Sequence, residues 1–240
     1  MKEMKRTFSR TTYSFIIICI LLGGLLFTAC KKSNDNNSNV PVSALMAFNL
    51  APDKPSVGIN LSGSALTQAP LNYTGFTGNY ISIYPGTRNI EAFDNSSTPF
   101  SSSQYSFDTS RYYSIFVMGN NGAYQNVVTN DNFDSLTATS GSAYLRYVNA
   151  IPDSSKPAIS ISAGGNNIIN TSTGYATVSS FVAAPAGDVT VGLTNESTIN
   201  ANRTITLEEK KVYTILLMGN PAATDSTGKV QIRFIQNGGL

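Results

Sequence analysis

The sequence contains no histidine and no tryptophan, and its two cysteines, Cys19 and Cys30, both precede Lys31. Without histidine, neither a Ser-His-Asp nor a Cys-His nucleophile system can be assembled, and the usual zinc sites lose both of their preferred ligand types. With no cysteine beyond Cys30, no disulfide staples the body of the chain, so its stability must come from packing. Charge is scarce too: Asp, Glu, Lys and Arg make up 12% of residues, against a usual ~25%. Ser, Thr, Asn and Gly supply a polar but uncharged surface, of the kind that suits exported proteins. No basic run is longer than a pair such as Lys31 and Lys32, so the electrostatic footprint of a nucleic-acid binder is missing. Neither standard form of Gly-rich phosphate loop occurs. These absences leave carboxylate-pair hydrolysis as the remaining enzymatic option, and nothing in the spacing of the acidic residues nominates a pair.

What is present begins with an address. Lys2, Lys5, Arg6 and Arg10 precede the apolar run Phe15 to Phe27, FIIICILLGGLLF, which is followed by Thr28, Ala29 and Cys30. A basic segment, an apolar core of this length and small residues at its end are the parts of an export signal. The run is shorter than the ~20 residues a membrane-spanning helix needs. Phe27-Thr28-Ala29-Cys30 resembles the lipobox of bacterial lipoproteins, with Phe27 where Leu is usual; there the cysteine is acylated on sulfur and becomes the new N-terminus. Residues 1–29 are therefore expected to be a signal peptide and Cys30 the site of lipid attachment. Each buried methylene contributes ~0.8 kcal/mol, so several acyl chains would anchor the protein permanently. Processing leaves twelve basic and thirteen acidic residues, a near-neutral mature chain. Residues 30–42 then read as a polar, aperiodic tether that buries too little apolar surface to fold.

The body of the chain repeats itself at a period of 100 residues. Phe48-Asn49-Leu50-Ala51-Pro52-Asp53 returns as Val148-Asn149-Ala150-Ile151-Pro152-Asp153, and Tyr113-Ser114-Ile115-Phe116-Val117-Met118-Gly119-Asn120 as Tyr213-Thr214-Ile215-Leu216-Leu217-Met218-Gly219-Asn220. A period this long means duplicated globular domains and not a solenoid. The boundary falls in the polar stretch after Asn130, giving a first domain over 43–130, a linker over 131–142 and a second domain over 143–240.

Within each copy, short runs alternate apolar with polar residues. In the first they are Leu45 to Asn49, Val57 to Leu61, Tyr80 to Tyr84, Asn89 to Phe93, Tyr112 to Met118 and Gln125 to Thr129. In the second they are Tyr144 to Asn149, Ile159 to Ala163, Ser179 to Ala183, Val189 to Leu193, Arg203 to Leu207, Val212 to Met218 and Val230 to Ile235. Six or seven strands in ~100 residues, punctuated by Gly, Pro, Asn and Asp, predict an all-β fold of two tandem immunoglobulin-like β-sandwich domains. The antibody-type cysteine pair and core Trp are missing, so the likeness is to the architecture alone; a small β-barrel is the alternative.

At these residues the chain resembles a bacterial cell-surface family known as domain of unknown function 4397. The resemblance rests on Asn49-Leu50-Ala51-Pro52-Asp53 and Asn149-Ala150-Ile151-Pro152-Asp153, on the turn Pro185-Ala186-Gly187, and on the closing strand from Leu207 through Glu208 to Tyr213-Thr214. The first copy departs from it with Pro85-Gly86 and a Ser/Tyr-rich stretch from Ser101 to Tyr113. The resemblance implies an extracellular β-sandwich and brings no known activity. Lipoproteins of this layout look like those of Bacteroidetes, which implies the outer membrane, on its periplasmic face or at the cell surface.

Candidate site residues are few. Pro52, Asp53, Pro152 and Asp153 read as structural turns, in which Pro presets the backbone and the carboxylate accepts N–H bonds. Asn120 and Asn220 follow glycines at strand ends, where residues tolerant of positive φ are wanted. Asn130, Asn132 and Asp134 alternate as in a calcium loop, but Ser135 and Gly141 stand where that loop needs Gly and Glu. Tyr113 and Tyr213 read as core or corner residues. Tyr105, Tyr112, Asn120, Asn121 and Tyr124, with Gln125, form the candidate ligand-binding face, suited to saccharide. Asp134-Ser135-Leu136 and Asp225-Ser226-Thr227 resemble short O-glycosylation acceptors. The expectation is a non-enzymatic, envelope-anchored module for binding, adhesion or spacing. It needs no cofactor or metal and does not bind nucleic acid, and its partners are the membrane through Cys30 and glycans or other envelope proteins. The alternative is a carbohydrate-binding or carbohydrate-processing lipoprotein of the outer membrane.

Overall fold

The computed structural model describes residues 40–195 and 197–240. The signal peptide, Cys30 and the tether up to residue 39 lie outside the described residues. The first copy comprises β1 (Ser43–Asn49), β2 (Ser56–Leu61), β3 (Ser64–Ala65), β4 (Leu71–Asn72), β5 (Ile81–Ile83), β6 (Gly86–Phe93), β7 (Ser101–Phe107), β8 (Tyr112–Asn120) and β9 (Ala123–Asn130). The second comprises β10 (Ser142–Asn149), β11 (Ala158–Ala163), β12 (Asn166–Ser172), β13 (Thr177–Val178), β14 (Val182–Pro185), β15 (Gly187–Thr194), β16 (Asn200–Leu207), β17 (Lys211–Met218) and β18 (Gln231–Gly239). Among the described residues the sole helical element is a 3₁₀ turn, Phe133–Ser135, between the copies.

Each copy is a sandwich of two sheets. In the first, β5-β1-β8-β9 faces β3-β2-β6-β7, with β4 on β2; in the second, β10-β17-β18 with β13 and β14 on β10 faces β12-β11-β15-β16. The opening strand runs parallel to the penultimate one in both copies, with Leu45 opposite Tyr113 and Leu145 opposite Tyr213. The all-β class and the two tandem sandwiches agree with the sequence. The strand order is its own, differing from the ABED and CFG sheets of an immunoglobulin constant domain.

Alternation holds in the outer sheets, as in β15, where Val189, Val191 and Leu193 are buried and Asp188, Thr190 and Thr194 are exposed. It fails in the four central strands. Leu45 and Ala47 of β1, and Tyr113, Ile115 and Val117 of β8, fill the first sandwich; Met46, Phe48, Phe116 and Met118 point the other way, into a separate cluster with Val148, Leu216 and Met218 of the second copy. A strand covered on both faces reads as a near-continuous apolar run. The two sandwiches therefore pack inner sheet to inner sheet, and residues 41–240 form one compact unit. Phe48 stacks on Phe116 (4.8 Å between centroids) and Phe76 (5.5 Å) at the centre of this third core.

Of the stretch Ser179 to Ala183, expected as one strand, only Val182 and Ala183 are in a strand, at the start of β14, and Ser179 to Phe181 form the break after β13. The Ser179 hydroxyl accepts the Tyr147 N–H (2.9 Å) in place of a ladder bond, and Phe181 turns inward beneath the Arg146 guanidinium (4.5 Å). The structure adds five strands that the sequence reading omitted: the seven-residue edge strands β7 and β12, and the two-residue β3, β4 and β13.

Candidate functional site

Arg146 and Asp131 sit between the copies, their side chains 1% and 0% exposed, with Nη1 and Oδ1 2.6 Å apart. Arg146 also donates from Nε to Thr214 Oγ1 (3.0 Å) and from Nη2 to Ser114 Oγ (3.0 Å). Ser114 donates to the other Asp131 oxygen (2.7 Å), which also accepts the Tyr80 hydroxyl. The ring closes through Thr214 to Asn237 Oδ1 (2.6 Å) and Asn237 Nδ2 to Tyr80 (3.3 Å). Burial, and then the Asp131 charge, push the Tyr80 phenol well above its ordinary pKa, which keeps it a donor. A buried ion pair costs several kcal/mol to desolvate and is tolerated when its remaining donors and acceptors are satisfied, as here. Because Tyr80, Ser114 and Asp131 precede β10 while Arg146, Thr214 and Asn237 follow its start, the network pins one copy to the other.

Neither charged residue was singled out by sequence. Asp131 lies in the polar stretch read as linker, yet is 1% exposed. Arg146 had a signal: it interrupts an apolar strand at the position where the first copy carries Met46.

The pinning fixes a cleft at the end where β1, β8, β10 and β17 finish. One wall is the β8–β9 hairpin of the first copy, with Asn120, Asn121 and Ala123; the other is the second copy's Pro152, Asp153, Ser154 and Lys156, with Gly174 and Tyr175, and together they bound about 620 Å³. The Tyr175 ring packs against the inter-copy core, and its burial raises the phenol pKa. Gly119 (φ 138°) lets β8 run into this hairpin, since a Cβ there would strike the Ala123 carbonyl; Gly219 (φ 107°) does the same in the second copy against Lys229. The left-handed residues of this turn are Asn121 (φ 52°) and Gly122 (φ 88°), while Asn120 and Asn220 keep ordinary backbones, which corrects the expectation placed on those two.

Of the expected ligand face, Asn120 and Asn121 line the cleft. Tyr124 stands behind them: its hydroxyl and the Asn121 N–H (2.9 Å) both bond Asp53 Oδ2. Its ring meets Phe100 (4.9 Å) and carries Lys54 Nζ at 4.9 Å. Tyr105 packs on Phe107 and Tyr113 at the side of the first core. Tyr112 begins the strand that Asn120 ends, so at ~3.4 Å per residue it stands about 27 Å away, against Tyr80 and Phe133. The five residues are not one surface.

The repeated turns differ as well. Asp153 accepts its own Ser155 N–H (3.0 Å) and hydroxyl (2.6 Å), a local turn, whereas Asp53 reaches to the β8–β9 hairpin. Asn130 Oδ1 caps Asn132 N–H (2.9 Å) and Asp134 pairs with Arg111, so these polar groups serve the connection between the copies. Among the described residues no group of three or more Cys, Asp or Glu side chains converges as a metal site would require.

The repeated landmarks behave alike. Asn49 and Asn149 are fully buried. Asn49 donates to the Lys54 (2.9 Å) and Leu71 (3.0 Å) carbonyls and accepts Ala51 N–H; Asn149 donates to Thr173 (3.0 Å) and accepts Ile151 N–H. The Tyr113 and Tyr213 hydroxyls accept the N–H groups of Asp108 (2.9 Å) and Glu208 (3.0 Å). A family model described as Domain of unknown function (DUF4397) matches residues 43–156 and 143–237. The chain belongs to this family.

The two DUF4397 copies share these buried bonds and differ on the face between them. No curated protein sequence matches the chain. Similar solved structures include the Bacillus anthracis TIE protein, at 10% identity and a TM-score of 0.27, covering 75% of this chain and 34% of that one. The present chain thus spans about a third of that TIE chain. Others are a family 41 carbohydrate-binding module from streptococcal virulence factors (8% identity, TM-score 0.25, 79% and 96% covered) and a streptococcal virulence factor solved for its α-glucan binding (12%, 0.24, 76% and 100%). These likenesses extend no further than the all-β fold.

Proposed function

We propose that the mature protein is a non-catalytic lipoprotein of the cell envelope, held at the outer membrane through Cys30, and that it acts as a binding module through the cleft between its two copies. The observation that carries this reading is the buried Arg146–Asp131 network, which fixes the two cleft walls relative to each other. A preorganised cleft loses little conformational freedom on binding, so contacts made there convert more fully into affinity. Its lining offers amides at Asn120 and Asn121, an ammonium at Lys156, a carboxylate at Asp153 and a tyrosine ring: groups that bind, with no paired acid and base set to act on a substrate.

A second reading, a carbohydrate-handling lipoprotein, is favoured by Tyr175 beside two asparagines, a flat ring with amide donors and acceptors suited to sugar hydroxyls. A glycan array probed with the mature chain separates the readings. Saturable binding that Asn121→Gly and Lys156→Ala weaken supports a saccharide site in the cleft, since Asn121→Gly preserves the left-handed turn. Silence across the array rejects saccharide and leaves an envelope protein as the partner. Turnover of any glycan overturns the non-catalytic assignment.

A further inference from the structure

The large apolar side chains that stand out as exposed among the described residues are Tyr84 (65%), Val40 (53%), Val42 and Tyr112 (43% each) and Leu240 (38%). All of them lie at one end. Ile83 pairs with Ser43 and Tyr112 with Ala44, which puts Tyr84, Val42 and Tyr112 side by side where β1 begins. In the second copy Lys210 N–H bonds the Ser142 carbonyl at the start of β10, and Leu240 N–H bonds the Lys210 carbonyl. The copies run in the same direction, since Ser114 of β8 meets Arg146 of β10 while Asn120 faces Pro152. The starts of β1 and β10 therefore share one end, and the cleft occupies the other. At the apolar end Arg111 pairs with Asp134 and Lys210 with Glu209, while Arg88, bonded to the Tyr84 and Pro85 carbonyls, and Lys211 are balanced by the Asp108 and Glu208 charges at the same end, so the end is apolar without strong net charge.

We infer that this end rests on the lipid surface, with Tyr84 and Tyr112 at headgroup depth and the cleft facing away. The inference rests on the lipid-anchor reading of Cys30. The stretch from Cys30 to Val40 spans at most about 36 Å when fully extended, and it joins the body at this same end, so a bilayer holding Cys30 is within reach of Tyr84. Tyrosine is favoured at such a boundary because its ring is apolar and its hydroxyl stays wet. Attachment by ring and aliphatic contact, with balanced charges around it, is insensitive to salt.

The chain has no tryptophan, so a single one reports its own surroundings. Tyr84→Trp, Tyr112→Trp and, at the cleft end, Ala123→Trp are prepared in the full lipidated protein. They are reconstituted in phosphatidylethanolamine and phosphatidylglycerol vesicles with brominated acyl chains. Tyr84 is exposed, so its replacement does not disturb the fold. Quenching several-fold stronger for Tyr84→Trp and Tyr112→Trp than for Ala123→Trp, unchanged by salt, is the expected result. Equal quenching at all three overturns the end-on orientation. So does a Tyr84→Trp signal untouched by brominated lipid but shielded from aqueous quencher as protein density rises, because a second copy then covers this end. Flotation with vesicles tests the anchor separately. Failure of the unmodified protein to float, or flotation of Cys30→Ser to the same extent, overturns the anchor reading and the orientation with it. Thioether-dependent flotation without quenching overturns the orientation alone.

Discussion

Where the first sandwich carries Met46, the second carries Arg146, and each points at the other copy. The residues that stay constant across the repeat, Asn49 and Asn149, Tyr113 and Tyr213, Gly119 and Gly219, meet needs inside a single sandwich: a satisfied turn, a tied corner, a hairpin that closes. Residues that differ sit where the copies meet or where one core is filled differently, as with Tyr105 and Phe107 against Ile205 and Leu207. A duplicated fold keeps what each unit needs alone and diverges where the units need each other. The largest test of that contrast is Arg146→Met, which gives the second copy the first copy's residue. It strands the Asp131 carboxylate in the inter-copy core, and losing one partner of a buried pair costs about 3–5 kcal/mol. Urea unfolding of the full chain should show this loss, and adding Asp131→Asn should restore much of it by removing the orphaned charge. A cost for Arg146→Met below about 1 kcal/mol, the range of an exposed pair, would mean that the network does not hold the copies together.

The constant positions should respond alike in both copies, with a graded difference. Asn49→Ala removes bonds to Lys54, Leu71 and Ala51, and Asn149→Ala removes those to Thr173 and Ile151. Leaving such buried groups unpaired costs about 1–3 kcal/mol, so the first substitution should be the more damaging by the same unfolding assay. Gly119→Ala and Gly219→Ala should each cost about 1–3 kcal/mol, because both carry positive φ and a Cβ at either would overlap the backbone of the returning strand. A benign result in one copy only would show that the two hairpins are held by different means.

The all-β class, the duplication and most strands were legible because buried positions dictate both residue type and period. Val57 to Leu61 and Val189 to Leu193 show the alternation of a half-buried strand and appear as β2 and β15. Edge strands were hidden: Ser101–Phe107 and Asn166–Ser172 are rich in Ser, Thr and Asn because one side meets water and one neighbour is absent. The face between the copies was also missed, although its signal was present. Met46, Phe48, Phe116 and Met118 occupy alternate positions that a sandwich with one wet face fills with polar residues. Reading Tyr105, Tyr112 and Tyr124 as one surface failed because sequence proximity says nothing about which end of a strand a residue occupies.

The smallest contrast lies at the cleft end, where Lys54 of the first copy has Ser154 as its counterpart. Lys54 bonds Asp94 (2.7 Å) while its ammonium sits over Phe100 at 4.6 Å, and the second copy lacks this clamp. The hydrogen bond from Lys54 holds the Asp94 carboxyl at about 2, down from 3.8, and the same bond raises Lys54 above its usual 10.5. A depressed acid stabilises the fold in full above its unfolded pKa and loses that contribution as pH falls through its folded one. The clamp should therefore be complete from about pH 4 upward and open between pH 4 and 2, a window set by the shift of Asp94. At the basic end it should persist until Lys54 deprotonates above 10.5. The Asp94 side chain is 34% exposed and screened by water, so the effect belongs in a local measurement and not in a melting curve. The Phe100 and Tyr124 ring resonances should shift over the acid window and stay still in Asp94→Asn. Ring signals that ignore pH in the unmodified chain would show that Lys54 is held by the aromatic pair alone, and that the two copies differ here in packing and not in charge.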